Sequence, residues 1–137
     1  MRKFKKNSKI MIIFGIGTDI VSVERIKNSL KNKNFINRIF NKKEILKCKK
    51  IHNSINCYAK RFAAKEAFSK ALGTGISNGI NFNEIVVLNK KSGKPYISII
   101  GKTKKMLKKK FKKKNSKISL SLSDEKKYAV AFVTISL

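Results

Sequence analysis

The stretch that decides the fold reads Asn56-Cys-Tyr-Ala-Lys-Arg-Phe-Ala-Ala-Lys-Glu-Ala-Phe-Ser-Lys-Ala-Leu72, and Gly73 follows it. This stretch is rich in alanine, lysine, glutamate and phenylalanine, so it predicts the longest helix of the chain. Gly73 suits the left-handed residue that closes a helix. Four apolar residues share one side of this helix, which we expect to be buried: Ala64, Phe68, Ala71 and Leu72.

Upstream of this helix, Ile12 to Ile16 forms an apolar run of strand length. The run ends at Gly15-Ile-Gly-Thr-Asp19, which predicts a tight turn, and apolar residues then recur at helical spacing through Leu30. A second helix is predicted from Phe35 to Lys47, because phenylalanine and isoleucine form one face and lysine the other. The first half therefore predicts a strand, a loop and two helices before the long helix.

The second half predicts a hairpin, a helix and another hairpin. The strand-like segments 84–88 and 96–100 flank a turn over Lys91–Pro95, a lysine-rich helix covers 102–114, and two alternating strands cover 118–122 and 128–137. With 137 residues, 42% of them hydrophobic, the chain can bury one modest core. We therefore expect a single domain over residues 11–137. The basic residues 1–10 before it are either a disordered extension or the result of a mis-assigned start.

The formal net charge is +27, which is extreme for this length and favours polyanionic partners such as nucleic acid, phosphorylated cofactors or acidic proteins. Charge alone does not choose among them. Lysine, asparagine and isoleucine also share A/T-rich codons, so genomic base composition is an equal explanation of the excess. A basic RNA-binding protein of ribosomal type is the main alternative from another class, although stacking aromatic residues are not interleaved with the lysines.

Cys48 and Cys57 form no CxxC motif. Adding His52 gives only three candidate ligands with no obvious fourth, so we expect no zinc site. Two cysteines without a framework suit a reducing compartment, where they pack as small apolar side chains. We therefore predict a cytoplasmic protein. The apolar run near the N-terminus is far shorter than a membrane span, so no membrane association is expected.

Two carboxylates stand in settings that suit phosphate chemistry. Asp19 closes the predicted strand-to-helix turn, where it is either a helix N-cap or a ligand. A dinucleotide fingerprint is excluded there, because Ile20 occupies the third glycine position. Glu66 lies among the cations of Arg61-Phe-Ala-Ala-Lys-Glu-Ala-Phe-Ser-Lys70, either in a surface ion pair with Lys70 or as a ligand of Mg²⁺, which binds carboxylates together with substrate phosphates.

The chain resembles holo-(acyl-carrier-protein) synthase, the small bacterial type of phosphopantetheinyl transferase. Three blocks carry the resemblance: Gly15-Ile-Gly-Thr-Asp-Ile-Val-Ser-Val-Glu-Arg-Ile26, Arg61-Phe-Ala-Ala-Lys-Glu-Ala-Phe-Ser-Lys-Ala-Leu-Gly-Thr-Gly-Ile76, and the Gly93-Lys-Pro95 turn with the terminal hairpin. It implies an α+β fold in which a small antiparallel sheet packs against a long helix, and a homotrimer with sites between neighbouring subunits.

The resemblance also implies which residues form the site. Asp19 and Glu66 would bind magnesium beside the coenzyme A pyrophosphate, and Lys70 would act with them as a catalytic, phosphate-contacting residue. The implied coenzyme A contacts are Arg61, Ser69, Lys70, Gly73 and Gly75. Arg25, inside the first block, would dock the acidic acyl carrier protein. Many relatives carry histidine at the position of Ser119, so any role of that histidine is absent or relocated here.

The implied reaction moves the 4′-phosphopantetheine arm of coenzyme A, the co-substrate, onto a carrier-protein serine and releases adenosine 3′,5′-bisphosphate, in support of fatty acid biosynthesis. The proton acceptor stays open between Glu66 and a metal-bound water. A third interpretation keeps the fold without catalysis, as a degenerate carrier binder, but the intact Asp19 and Glu66 argue against it.

Overall fold

Helices and antiparallel strands alternate along the chain in the computed structural model, which describes residues 10–73, 79–112 and 114–137. In chain order the elements are β1 (Ile13–Ser22), α1 (Val23–Ser29), α2 (Lys33–Ile39), α3 (Lys42–Lys50), α4 (Ser54–Leu72), a 3-10 turn (Phe82–Glu84), β2 (Ile85–Asn89), β3 (Pro95–Ile99), α5 (Gly101–Lys110), β4 (Lys117–Asp124) and β5 (Tyr128–Ser136). One sheet has the strand order β1-β5-β4 and the other is the β2-β3 hairpin. The predicted mixed fold of small antiparallel sheets is therefore confirmed.

Helix α4 is the centre of the core, and its prediction from sequence is confirmed. It spans 19 residues, and Gly73 closes it in the left-handed conformation, with φ +77° and its N–H donating to Lys70 O at 3.0 Å. The predicted buried residues Ala64, Phe68, Ala71 and Leu72 are all buried. Most other residues of α4 are buried as well, because the three-stranded sheet, α1 and α3 all pack against it.

The prediction of a turn at Gly15-Ile-Gly-Thr-Asp19 is wrong, because β1 continues through it to Ser22. The two glycines serve close packing instead of a turn. A Cβ atom on Gly15 would collide with the carbonyl oxygen of Ala71, and one on Gly17 with the carbonyl oxygen of Ala67. Glycine in a strand often marks such a close backbone approach. Strand β1 can therefore lie directly against α4.

The predicted single helix from Phe35 to Lys47 is also wrong, since the segment forms two helices, α2 and α3. Phe40 is extended, and Asn41 begins α3 with a capping box. The Asn41 side chain accepts from Lys43 N at 3.0 Å, while Glu44 Oε1 accepts from Asn41 N at 2.9 Å. This reciprocal cap satisfies backbone donors at the start of α3 and so separates the two helices.

The elements of the second half follow the prediction closely. Val87 pairs with Ile97 in the first hairpin, and Leu120 pairs with Val133 in the second. Helix α5 is shorter than predicted, because it ends at Lys110. No helix in the described ranges is long and apolar enough to cross a membrane. The predicted extension lies outside the described residues except for Ile10.

A buried ion pair joins α4 to its surroundings. Lys65 and Glu44 are both fully buried, and Lys65 Nζ donates to Glu44 Oε1 at 2.6 Å. The same ammonium donates to Phe82 O and Ile85 O, each at 2.8 Å. Burial lowers the pKa of Lys65 to about 8, although neighbouring Glu44 opposes this shift. The pair ties α3, α4, β2 and the 3-10 turn together.

The cysteines differ from the prediction of free, apolar thiols, because Cys48 and Cys57 form a disulfide. The prediction failed because two cysteines nine positions apart in the sequence, with no recognisable framework, do not show that α3 and α4 lie side by side. The disulfide connects these two helices. It also removes the argument from cysteine usage for a reducing compartment.

Candidate active site

Asp19 lies within β1, on the sheet face that packs against α4. It pairs with Ala131 of β5 and shares its side of the strand with Gly15 and Gly17. Its side chain is only 15% exposed. The N-cap interpretation of Asp19 is wrong, because Ser22 caps α1 by accepting from Arg25 N at 3.3 Å. The packed strand therefore points Asp19 at the helix.

Lys70 of α4 reaches back to this strand. Its Nζ donates to Asp19 Oδ1 at 3.0 Å and to Thr18 O at 2.9 Å. The described structure shows no Glu66–Lys70 salt bridge, so the surface ion pair considered from sequence is replaced by Lys70–Asp19. The Lys70 side chain is 56% exposed and so remains accessible to a ligand.

Glu66 completes a group that we call the carboxylate cluster: Asp19, Glu66 and Lys70. Burial raises the pKa of Glu66, the charge of Asp19 raises it further, and Lys70 partly opposes both effects. The repulsion shows that the two carboxylates are electrostatically coupled. Glu66 also lines a cavity of about 730 Å³ whose walls include Phe35, Ile39, Phe62, Phe82, Arg38 and Lys102.

Ser69 and Gly73 lie near this cluster along α4. Ser69 is buried, and its hydroxyl oxygen has no hydrogen-bond partner within the described residues. Gly73 is exposed, and no atom of residues 10–73, 79–112 or 114–137 lies within 4 Å of where its Cβ would be. Gly75, the other predicted glycine contact, lies outside the described residues.

Arg61 is on a different side of α4 and does not join the cluster. Its Nη1 donates to Cys57 O at 3.3 Å and to Cys57 Sγ at 3.1 Å, and its Nη2 donates to Asn89 Oδ1 at 3.0 Å. It lines a separate cavity of about 360 Å³, which we call the basic cleft. The cations of the basic cleft are Lys47, Lys60, Arg61, Lys90 and Lys91.

Sequence analysis missed the four lysines of the basic cleft and Arg38, which lines the same cavity as Glu66. Because 34 of 137 residues are lysine or arginine, the spacing of cations carries little information about any one of them. Asp124 is the acidic residue at the cleft, and it is already engaged by Asn56 at 2.8 Å and by Lys60 at 3.5 Å. The cleft therefore offers a positive surface to a ligand.

Two further predicted positions lie apart from both sites. Arg25 is exposed on α1. Ser119 is exposed on β4 and pairs with Thr134, which places it on the sheet face opposite Asp19. Within one protomer, a side chain at position 119 therefore points away from the carboxylate cluster.

The family model for the 4′-phosphopantetheinyl transferase superfamily matches residues 15–133. The chain belongs to this superfamily. The matched residues include Asp19 and the motif on α4, and so the whole carboxylate cluster. The predicted family resemblance is confirmed.

Relatives of this phosphopantetheinyl transferase superfamily member share most of its length. It is 55% identical to the holo-(acyl-carrier-protein) synthase of Pelagibacter ubique (strain HTCC1062) over 91% of this chain and 98% of that protein. The crystal structure of the Neisseria meningitidis synthase is 40% identical, with a TM-score of 0.80 over 90% of this chain and 98% of that one. The Bacillus anthracis synthase, solved in complex with CoA (3′,5′-ADP), is 35% identical. Its TM-score is 0.75, and the match covers 93% of this chain and 98% of that one.

The raised pKa of Glu66 predicts a stability effect. The pKa of Glu66 is higher in the folded protein than in the unfolded chain, where it is about 4.3. The free energy of unfolding therefore decreases as the pH rises from about 4.3 through the raised pKa. Glu66→Gln removes this decrease. At neutral pH this variant should therefore be more stable than the control Glu24→Gln, which removes an exposed carboxylate. The difference should vanish below about pH 4. Urea unfolding at both pH values measures this difference, and equal stability at neutral pH would contradict a raised pKa for Glu66.

Proposed function

We propose that this chain transfers 4′-phosphopantetheine from coenzyme A to a serine of apo-acyl carrier protein, giving the holo-carrier and adenosine 3′,5′-bisphosphate. The single observation that carries the proposal is the carboxylate cluster, formed by Asp19, Glu66 and Lys70 within the superfamily match. The named relatives support it, since they are holo-(acyl-carrier-protein) synthases. These relatives give no support to the RNA-binding alternative.

The cluster fits Mg²⁺ as the metal of this reaction. Two coupled carboxylates, one with its pKa raised partly by the other, favour a cation that would relieve their repulsion. Within the described residues there is no group of three acidic, cysteine or histidine side chains that could hold a metal unaided. Mg²⁺ usually binds one or two carboxylates and completes its shell with water and substrate phosphates, so Asp19 and Glu66 suffice as protein ligands. When bound, Mg²⁺ would neutralise charge on the pyrophosphate.

Lys70 would hold the pyrophosphate in place. An ammonium group has three donors, and Lys70 uses one on Asp19 and one on Thr18 O. The third donor has no partner among the described residues and would bind a phosphate oxygen. Ser69 is the neighbouring residue, and its hydroxyl has no partner among the described residues. This hydroxyl would donate another hydrogen bond to the bound ligand.

The transfer itself is a displacement at phosphorus. The carrier serine oxygen forms a bond to the β-phosphate, its proton passes to Glu66 or to a water molecule, and the bond from that phosphorus to the bridging oxygen breaks. Adenosine 3′,5′-bisphosphate leaves, and a phosphodiester remains on the carrier. The chain contributes positioning and charge stabilisation to such a step. Lys70 would offset negative charge on the phosphates, and the two carboxylates would hold the divalent cation beside them.

The basic cleft would hold another anionic part of coenzyme A. Coenzyme A carries a 3′-phosphate in addition to its pyrophosphate. Arg61 precedes Lys70 by nine residues on α4, so the two side chains are on different sides of the helix. In the proposed trimer, the basic cleft would therefore contact coenzyme A held at the carboxylate cluster of a neighbouring subunit. The Nε of Arg61 is buried without a partner among the described residues, which supports a ligand at this position. We thus retain Arg61 as a proposed coenzyme A contact.

The carrier protein would approach α1 and the neighbouring basic surface. Arg25 is exposed there, and an acidic carrier would be steered to it by charge. We place the reaction in the cytoplasm, where fatty acid biosynthesis would use the holo-carrier. That location now depends on the proposed reaction alone, because the disulfide removed the argument from free cysteines.

The transfer is tested by incubating the purified protein with coenzyme A, Mg²⁺ and apo-acyl carrier protein and weighing the carrier by intact mass spectrometry. We expect a gain of one phosphopantetheine, which a chelator abolishes. Asp19→Asn, Glu66→Gln and Lys70→Ala should each lower kcat about 10²-fold or more, as loss of charge stabilisation does elsewhere. Lys105→Ala, an exposed lysine of α5, is the matched control. A carrier that stays unmodified by folded wild-type protein would refute the transferase.

We further propose a homotrimer, assembled through the outer face of the β1-β5-β4 sheet. This face exposes large apolar residues that a monomer would be expected to bury: Ile16, Ile20, Tyr128 and Phe132. Ser119 lies on the same face, so in a trimer it would approach a neighbouring subunit. Each protomer has a formal net charge of +27, so the apolar contact must overcome the electrostatic repulsion between protomers.

The assembly predicts a mass three times that of the 15.6 kDa chain in size-exclusion chromatography with light scattering. Phe132→Asp should yield monomers, because it buries a charge in the contact. Leu46→Asp, at an exposed apolar residue of α3, should leave the mass unchanged. Higher salt should favour the trimer by screening the repulsion. A monomeric wild-type protein at both low and high salt would overturn the assembly.

A further inference from the structure

The disulfide lies at the wall of the basic cleft. Cys48 is fully buried, whereas Cys57 is 3% exposed and lines the cleft directly. The Cys57 sulfur accepts a hydrogen bond from Arg61 Nη1 at 3.1 Å. Arg61 follows Cys57 by one turn of α4, so the sulfur and the guanidinium form one continuous part of the cleft wall.

The disulfide also fixes the opposite wall. Lys47 and Ile51 line the cleft from the end of α3, on either side of Cys48 in the chain. Arg61 lies on α4, and the disulfide is a second covalent link between these two helices, in addition to the short backbone connection over residues 51–53. Any change in the separation of α3 and α4 would therefore move Lys47 relative to Arg61.

We propose that the oxidation state of the Cys48–Cys57 pair controls the affinity of the basic cleft for coenzyme A. In the oxidised protein the link holds Lys47 and Arg61 at the separation seen here. In the reduced protein the buried Glu44 still holds α3 to α4, but the last turn of α3 loses its link to Cys57. The Cys57 sulfur then no longer belongs to a fixed bridge beside Arg61. Affinity for the anionic ligand then falls. The inference rests on the proposed function, because it names coenzyme A as the ligand of this cleft.

The reduction requires a small dithiol as the electron donor. A thiolate of the dithiol attacks Cys57 Sγ, the bond between Cys57 and Cys48 breaks, and Cys48 leaves as a thiolate that takes up a proton. The second thiol of the reagent then attacks the mixed disulfide, which releases Cys57 and closes the reagent into its own disulfide. Two electrons pass from the dithiol to the cystine. Attack falls on Cys57 because Cys48 is fully buried.

Coupling between the two events must be reciprocal. If the disulfide strengthens coenzyme A binding, bound coenzyme A must stabilise the disulfide by the same factor. A ligand in the cleft would also cover the exposed edge of Cys57 and slow the attack. Protection of the disulfide by coenzyme A is therefore a second consequence, and it can be observed without turnover.

The experiment compares fully oxidised and dithiothreitol-reduced wild-type protein, with the two states verified by alkylation and mass spectrometry. The KM for coenzyme A should rise at least about fivefold on reduction, the lower end of typical coupling between sites. The kcat should be unchanged, because the carboxylate cluster is elsewhere on α4. Calorimetric titration with adenosine 3′,5′-bisphosphate should show the same loss of affinity.

The Cys48→Ser/Cys57→Ser double variant is the control for effects of the reductant itself. It should bind coenzyme A like reduced wild-type protein, with or without dithiothreitol. Circular dichroism of each state checks the fold, and the comparison of the two wild-type states stands even if the variant does not fold. The rate of reduction of wild-type protein should fall when coenzyme A is present.

Equal affinity of the two wild-type states would overturn the proposal, as would an equal dependence on dithiothreitol in the double variant. Thiols that alkylate freely after purification under oxidising conditions would also overturn it. Failure of the proposed function looks different. In that case no carrier is modified in either state, while the titrations with coenzyme A and adenosine 3′,5′-bisphosphate still report whether the disulfide controls the cleft.

Discussion

The buried pair of Lys65 and Glu44 is the interaction on which the position of the other elements depends. All three donors of the Lys65 ammonium are used, on Glu44, Phe82 O and Ile85 O. Glu44 in turn accepts from the backbone of Asn41 at 2.9 Å and of Val87 at 3.2 Å. A buried pair is tolerated only when its remaining hydrogen bonds are satisfied, as they are here. Glu66 is the next residue of α4, so the same pair fixes the orientation of the proposed metal ligand.

A second constraint comes from the two glycines of β1. Because Gly15 and Gly17 carry no Cβ, the strand approaches the α4 backbone closely enough for Lys70 to reach Thr18 O and Asp19. Larger residues at these positions would push the strand away and separate Asp19 from the helix. The glycine pattern therefore belongs to the site as much as to the fold.

Much of this could be predicted from the sequence. The composition of α4 and its closing Gly73 predicted the central helix, and turn composition and alternating residues predicted the two hairpins. The charged motifs indicated Asp19 and Glu66 as candidates, and the role proposed for Lys70 came from the family resemblance. The errors have physical reasons. Glycine in Gly15-Ile-Gly-Thr-Asp19 is compatible with a turn or with close packing, and only the tertiary structure distinguishes them. The break at Phe40–Asn41 depends on a cap that local periodicity does not show.

Long-range contacts account for what else the sequence left undetermined. Neither the Cys48–Cys57 disulfide nor the basic cleft follows from spacing, because each needs the packing of α3 beside α4 and β2. Arg61 shares a motif with Glu66 and Lys70, yet its guanidinium contacts Cys57 and Asn89 on another side of the helix. One helix thus presents a carboxylate cluster that suits a cation and, on another side, a basic cleft that suits an anion.

The central claim is that Asp19 and Glu66 together hold one divalent cation with the phosphates of coenzyme A. Electron paramagnetic resonance of Mn²⁺, titrated into the protein with and without coenzyme A, tests this most directly. We predict weak binding alone, much tighter binding with coenzyme A, and loss of the tight site in both Asp19→Asn and Glu66→Gln. Tight Mn²⁺ binding that survives either substitution, or that ignores coenzyme A, would contradict the claim.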